Sequence, residues 1–576
     1  MQVHKFALTH PCARVPTGKD ERHGDVPRRA PLEDHVFAPP QDLLVNPDSA
    51  PDVTVLVWVG WPDGPVADGI GCAEERVSSR IDTRLRMRPT ALILAVSIGL
   101  SACATTPSWR ERAVRMGSGG SNAPVLDTTV WEKLADGSIQ LFDGRLIPPL
   151  PELLGVREQY DLRVQWLEKK HGHLLEMMRQ HGVGAWIIVN HEFNDDPATE
   201  YVAPDLVYVS RRDLHVFVDA RDALLERFSS YGRPNADHAR LFEPLPPVES
   251  EAGGGDVGAR LKAIIDRYRP ATIALNMGGD RGHNSALTHD AYQFIVEALG
   301  PEMEHRLISS RELIEEYFDT RLPEELEHYR QLVLATDVLA QRALSNVVIT
   351  PGVTTAADLK WWFNQQIADL GVGAEPWFEI HTAVQRFESE TGATIPYVHP
   401  APDDLIYQQG DVIHLDTGFN YLGFASDWQK VAYVLRNGED DVPEGLKIAL
   451  RNAGVAQQAM LAAPRPGMTG RDATIATMAM LDGVDFLPSL YSHAIGYHGH
   501  ALGPSINARN MVLGSATARD PVLRPGSYRS IELSATTAIP EWNGETLTIP
   551  FEDDAHLTDE GYVLFRPPQT SWYLIR

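Results

Sequence analysis

The stretch from Asp416 to Asp427 places the tightest constraint on this chain. Gly410-Asp411 reads as a turn, and Val412 to Asp416 as a short β-type run. Gly418 to Gly423 reads as a loop or hairpin end, and Trp428 to Leu435 as a return strand. A strand that turns back brings two carboxylates, eleven positions apart, side by side. Buried like charges that close repel unless a cation lies between them. A divalent metal pair answers that need. Two solvated loop aspartates would also explain these residues taken alone, so the rest of the chain has to decide.

With 576 residues there is room for two or three domains. The chain is 43% hydrophobic and 22% charged, which is a globular balance. Its net charge of −27, from 51 basic and 78 acidic residues, argues against nucleic acid or an anionic membrane surface as partner. The three cysteines, Cys12, Cys72 and Cys103, form neither a disulfide framework nor a Cys-x-x-Cys pair.

Cys103 has a telling context. Arg84, Arg86 and Arg88 precede the apolar run Ala91 to Leu100, which leads into Leu100-Ser-Ala-Cys103. A basic start, a short apolar run and small residues make a secretory signal too short for an ordinary membrane span. The ending resembles a bacterial lipoprotein box, in which the cysteine is lipidated and becomes the mature first residue. An uncleaved hydrophobic anchor is the alternative. On the lipoprotein reading 87–102 is the signal peptide and Met87 the start. Residues 1–86 are then a disordered or non-native leader, and the mature protein sits in the bacterial cell envelope, anchored by lipid on the periplasmic face.

Residues 103–150 read as a tether and lead-in, rich in Thr, Ser, Gly and Pro, with regular structure starting near Glu158. From there to 320 the chain alternates. A helix carries Leu162, Trp166 and Leu174. Strands are expected at Ala185–Val189, Leu206–Val209, Leu214–Val218 and Thr272–Asn276, with helices at Ala259–Tyr268 and Asp290–Leu299. This pattern predicts an N-terminal α/β domain over 151–320. Its His191, Glu192, Asp195 and Asp196 read as a solvated loop.

Residues 321–576 have longer helices and an internal echo. Ala340-Gln-Arg-Ala-Leu344 precedes Pro351-Gly-Val-Thr354, and Ala456-Gln-Gln-Ala-Met460 precedes Pro466-Gly-Met-Thr469. In each case a helix ends, a Pro-Gly turn follows, and Thr354 or Thr469 is placed to cap a helix carrying Asp358 or Asp472. The echo suggests two similar halves.

Further candidate residues follow in order. His399 lies seventeen positions before Asp416; His493, His498 and His500 share a glycine-rich stretch; Glu532 and Glu552 lie in or beside β-type runs. Singly, each has an ordinary structural explanation, and Glu552-Asp553-Asp554 reads as a solvated turn. Together and at these spacings they resemble the pita-bread metallopeptidases, a group that includes aminopeptidase P, prolidase and creatinase. The resemblance implies an α/β N-terminal domain followed by an α+β pita-bread catalytic domain of duplicated halves. It implies that Asp416, Asp427, His493, Glu532 and Glu552 hold two divalent metals, with Asp427 and Glu552 as bridges. Glu532 would double as the proton carrier. His399 and His500, rather than His498, would donate hydrogen bonds to substrate.

Two departures stand out. Leu533-Ser534 replaces the family's Pro-Gly after the first glutamate, and Pro550 stands where aminopeptidase P and prolidase carry an arginine. The second leaves peptide specificity open. Four carboxylates and one imidazole form an oxygen-rich site that suits Mn(II), with Co(II) or Zn(II) as alternatives. The implied activity is hydrolysis of Xaa-Pro bonds in short peptides by an aminopeptidase. The alternatives are a prolidase-type dipeptidase, a metal-free creatinase-like hydrolase and a catalytically silent binding lipoprotein. A homodimer is left open.

Overall fold

The computed structural model describes residues 130–576, apart from 205–208, 210, 222–223, 249–255, 389–392 and 509–520; for 393–398 it describes the backbone alone. The expected leader, signal peptide and Cys103 lie outside the described residues, as does most of the Leu206–Val209 segment. The described residues all belong to one compact unit.

Regular structure begins earlier than the sequence suggests. Strands β1 (Trp131–Lys133), β2 (Ile139–Leu141) and β3 (Leu146–Ile147) form an antiparallel sheet inside the expected lead-in. Two Asp-Gly turns make it possible. Gly137 and Gly144 have φ of 86° and 87°, and the Asp136 and Asp143 carboxylates accept the Ser138 and Arg145 amides at 2.9 and 3.0 Å. Ile139, Leu141 and Ile147 are buried with Val338. The overall Ser/Thr/Gly/Pro composition hid these hairpin signals.

The N-terminal domain is built on β4 (Ala185–His191), β5 (Arg212–Asp219), β6 (Leu225–Ser229), β7 (Glu243–Pro244), β8 (Ile273–Leu275) and β9 (Leu307–Ser309), ordered β7-β6-β5-β4-β8-β9. β4 is apolar from Ala185 to Val189 because both faces are covered there. Ile187 and Val189 pack toward helices Val257–Tyr268 and His289–Leu299. Trp186 and Ile188 pack toward helices Val156–Gln180 and Arg311–Asp319. The expected solvated loop is only partly so. Asp195 is exposed, but Asp196 is buried, accepting from Asn276 Nδ2 at 2.8 Å and from the Ala198 amide at 2.9 Å. Burial raises its pKa to about 6.

The C-terminal domain repeats one pattern twice. In the first half, helices Glu325–Ala343 and Ala356–Leu370 precede β10 (Glu375–Pro376), β11 (His381–Glu388), β12 (Ala393–Val398), β13 (Asp411–Thr417), β14 (Phe419–Tyr421), β15 (Phe424–Ala425) and β16 (Trp428–Val434). In the second, helices Glu444–Ala462 and Gly470–Met480 precede β17 (Leu487–Ile495), β18 (Ile506–Asn507), β19 (Tyr528–Ala538) and β20 (Thr546–Thr558). The chain ends with β21 (Gly561–Leu564) and β22 (Tyr573–Ile575). The main sheet is ordered β12-β11-β13-β16-β20-β19-β17-β18, so the second half mirrors the first across the β16–β20 seam.

The echoed turns occupy equivalent places. The Gly352 amide donates to Tyr407 O at 2.7 Å, and the Gly467 amide to Leu523 O at 2.8 Å. One detail differs from expectation. Thr355, not Thr354, caps its helix, accepting from the Asp358 amide at 3.1 Å; Thr469 caps the other through Asp472 at 3.1 Å. Thr354 Oγ1 instead accepts the Thr350 amide.

Candidate metal centre

Strand register puts the chemistry on one line. Read across the sheet, His381 pairs with Asp416, Asp416 with Gln429, Gln429 with Glu552, Glu552 with Glu532, and Glu532 with Tyr491. Neighbouring strands lie about 4.8 Å apart, so side chains in such a row touch. Asp427 precedes Gln429 by two positions and His493 follows Tyr491 by two, which keeps both on the same face. The β14–β15 hairpin brings the strand back, as the Gly418–Gly423 stretch suggests.

Asp416, Asp427 and Glu552 offer oxygens within 4.8 Å of one another, and His493, Glu532 and Glu552 form a second such group. His493 Nε2 lies 3.6 Å from both Asp427 Oδ2 and Glu552 Oε1. Burial, then the charges of Glu552 and Glu532, pushes the Asp416 carboxyl well above the ordinary range. Asp427 moves the same way, through burial and then Glu552 and Asp416. Burial also raises Glu552.

The residues fit a pair of divalent cations. His493 Nδ1 lies 3.0 Å from Ala494 O, and a carbonyl only accepts, so Nδ1 carries the proton and Nε2 presents a lone pair. Burial lowers the His493 pKa to about 4, keeping the ring neutral. Nε2 of His493 and Oδ1 of Asp416 are buried without a hydrogen-bond partner among the described residues. Orphaned acceptors among crowded carboxylates are the arrangement that cations complete.

The supporting residues went largely unseen in the sequence. Gln429 Nε2 donates to Glu552 Oε2 at 2.6 Å, while Gln429 Oε1 lies 2.9 Å from His414 Nε2. Ser530 Oγ donates to Glu552 Oε1. The Glu552-Asp553-Asp554 run is no solvated turn: all three are buried within β20. Asp553 accepts from Lys430 Nζ at 2.6 Å and from Gln457 Nε2 at 2.7 Å. Asp554 accepts from the Asp427 amide at 3.2 Å and Tyr329 Oη at 3.1 Å. The signal was there in period-two alternation. His414 and Gln429 each stand two positions from a predicted ligand on the same strand face.

The predicted substrate-contacting histidines flank this row. The His500 ring is 4.4 Å from that of His493 and 5.4 Å from that of Trp377. Trp377 Nε1 donates to Ser426 O at 2.7 Å. A Cβ at Gly499 would lie 2.2 Å from the Trp377 ring, so only glycine allows this approach. On the other side, His399 Nε2 is 2.8 Å from His381 Nε2. His498 turns away to stack on His283. Pro550 pairs with Ser534 across β19 and β20 and brings no guanidinium to the row.

Comparisons with known proteins agree with this architecture. Residues 327–559 match the model of metallopeptidase family M24. Among solved structures, an Xaa-Pro dipeptidase from Bacillus anthracis aligns with a TM-score of 0.50 at 18% identity, covering 71% of this chain and 100% of that one. An X-Pro aminopeptidase from Thermotoga maritima aligns with a TM-score of 0.49 at 20% identity, covering 69% and 99%. No curated protein matches. The fold is that of the M24 pita-bread proteins, with an α/β domain preceding the duplicated one.

Proposed function

We propose that this protein is a dinuclear metal-dependent aminopeptidase that cleaves Xaa-Pro bonds in short peptides. The observation that carries the reading is the convergence of Asp416, Asp427, His493, Glu532 and Glu552 on one face, with the His493 Nε2 lone pair turned inward. Asp427 and Glu552 would be shared by the two cations, Asp416 would help hold one of them, and His493 with Glu532 the other. Four carboxylates favour Mn(II), with Co(II) or Zn(II) as substitutes. When bound, the cations supply Lewis acidity and a water acidified toward neutral pH.

The chain's own residues do the rest. Glu532 takes the proton of the attacking water and returns it to the leaving amine. His500, held beside His493 by Trp377, donates to the oxygen on which charge develops. His399 donates from the opposite side of the row. Without an arginine at position 550, the choice between aminopeptidase and dipeptidase rests on the substrate panel. The test is metal content of the purified protein with activity on Xaa-Pro dipeptides, Xaa-Pro tripeptides and matched Xaa-Ala peptides after Mn(II) addition. Equal rates on Xaa-Ala and Xaa-Pro would sink the proline part. No hydrolysis by a protein holding two metals would favour a silent binding module. We further propose attachment to the cell envelope through lipid on Cys103.

A further inference from the structure

Beyond the paired site, the first strand row ends in a second group of ligand-type atoms. His381 opens β11 directly opposite Asp416. Its Nδ1 lies 2.8 Å from Glu379 O, so Nδ1 carries the proton and Nε2 offers a lone pair. That Nε2 is 2.8 Å from His399 Nε2 and 3.5 Å from Asp416 Oδ2. The three residues present two nitrogens and one oxygen within 4.8 Å of one another. His399 is exposed and the His381 side chain is 21% exposed, which leaves an entry path.

We propose that His381, His399 and Asp416 form a third cation site, distinct from the pair, that takes an imidazole-preferring divalent ion such as Zn(II). The donor set decides the ion. Two imidazoles and one carboxylate suit Zn(II) better than Mn(II), whereas the paired site is dominated by oxygen. Water completes the coordination from the open side. Asp416 can serve both places because its two oxygens face different neighbours: Oδ2 approaches His381, and Oδ1 is buried without a hydrogen-bond partner among the described residues. A cation here uses the Nε2 lone pair of His399, so that nitrogen can no longer donate a hydrogen bond. Excess Zn(II) therefore slows turnover. This last consequence, unlike the site itself, rests on the peptidase reading.

The experiment counts total metal. Protein loaded with Mn(II) is dialysed against rising Zn(II), and Mn plus Zn per chain is measured by elemental analysis. Wild type should rise from two to three ions per chain, and His381→Ala should stop at two. If His381→Ala fails to fold, as judged by its melting curve, His381→Phe takes its place. A wild-type plateau at two, or a third ion retained by the His381 variant, overturns the proposal. Failure of the paired site would look different: fewer than two ions would be held before Zn(II) is added, while a Zn(II) ion dependent on His381 would remain.

Discussion

His498 stacks on His283 with ring centroids 3.5 Å apart and planes 19° apart. His283 belongs to a turn of the N-terminal domain, and His498 to the loop that carries His500. Nearby, Arg281 Nη1 donates to His500 O and Ala501 O, each at 2.8 Å. The N-terminal domain thus holds the backbone of the loop from which His500 reaches His493.

That contact changes the part expected of His498, which the sequence marks only as the histidine at the wrong spacing. His498→Ala should leave metal content unchanged, lower the melting temperature and reduce kcat/KM roughly 10-fold through a displaced His500, since small misplacements of catalytic groups are costly. His498→Phe keeps a stacking ring and should recover most of the loss. A His498→Ala protein as active as wild type would show that the stack does not position the loop.

His500→Ala separates substrate contact from metal binding. Metal should stay near two per chain while kcat falls roughly 100- to 1,000-fold, the usual effect of losing one oxyanion donor. Asp427→Ala, by contrast, removes a proposed bridge, and should lose the second metal together with activity. Metal analysis beside kinetics distinguishes the two. Metal loss in His500→Ala would make it a ligand and break the five-residue assignment.

How far the sequence carries this picture depends on the kind of signal. That Asp416, Asp427, His493, Glu532 and Glu552 come together was legible through the family resemblance, whose spacings strand pairing turns into neighbours. The duplicated halves were legible from two Pro-Gly turns, although the cap fell on Thr355 rather than Thr354. His381 was invisible, since its place opposite Asp416 depends on β11–β13 register, which no local pattern specifies. Glu552-Asp553-Asp554 misled because three consecutive acids suggest solvent. Lys430, Gln457 and Tyr329, all distant in sequence, supply the partners that allow their burial.

Three buried imidazoles predict acid sensitivity of the N-terminal domain. Burial lowers His171 and His215 to about 3 and His238 to about 4. The unfolded chain takes up protons near pH 6.5 while the folded one does not, so stability is present above that pH and lost as pH falls toward 4. Asp196, raised to about 6, works in the opposite direction, as do Asp195 and Glu315, both raised by burial, so a single-histidine variant is needed to isolate the imidazole effect. His215 packs on Phe242 at 4.8 Å, so His215→Phe replaces a ring with a ring. Melting curves at pH 7.5 and 5.0 should show the variant gaining on wild type at the lower pH. A constant difference between the two proteins would remove His215 from the account.

Cys103→Ser tests the anchor. Protein expressed from Met87 in a bacterium should take up labelled fatty acid and sediment with membranes, and the variant should do neither. A single acyl chain binds membranes only marginally, so firm attachment implies more than one. Soluble, unlabelled wild type would end the lipoprotein reading.

Gln429 offers the most direct test of how the row is held together. The residue pairs with Asp416 on one neighbouring strand and with Glu552 on the other. Nε2 donates to Glu552 Oε2, leaving Glu552 Oε1 toward His493. Oε1 lies 2.9 Å from His414 Nε2, and an amide oxygen only accepts, so His414 donates and fixes the amide's direction. Burial lowers the His414 pKa to about 3, so the donor is a neutral ring. Gln429→Ala leaves Glu552 free to rotate and should weaken metal binding about 10- to 100-fold, the usual effect of losing a group that orients a ligand. Gln429→Glu puts another carboxylate beside Glu552 and should be worse. The readout is Mn(II) affinity by titration of metal-free protein, with the melting curve confirming the fold. Wild-type affinity in Gln429→Ala would mean that Ser530 alone orients Glu552.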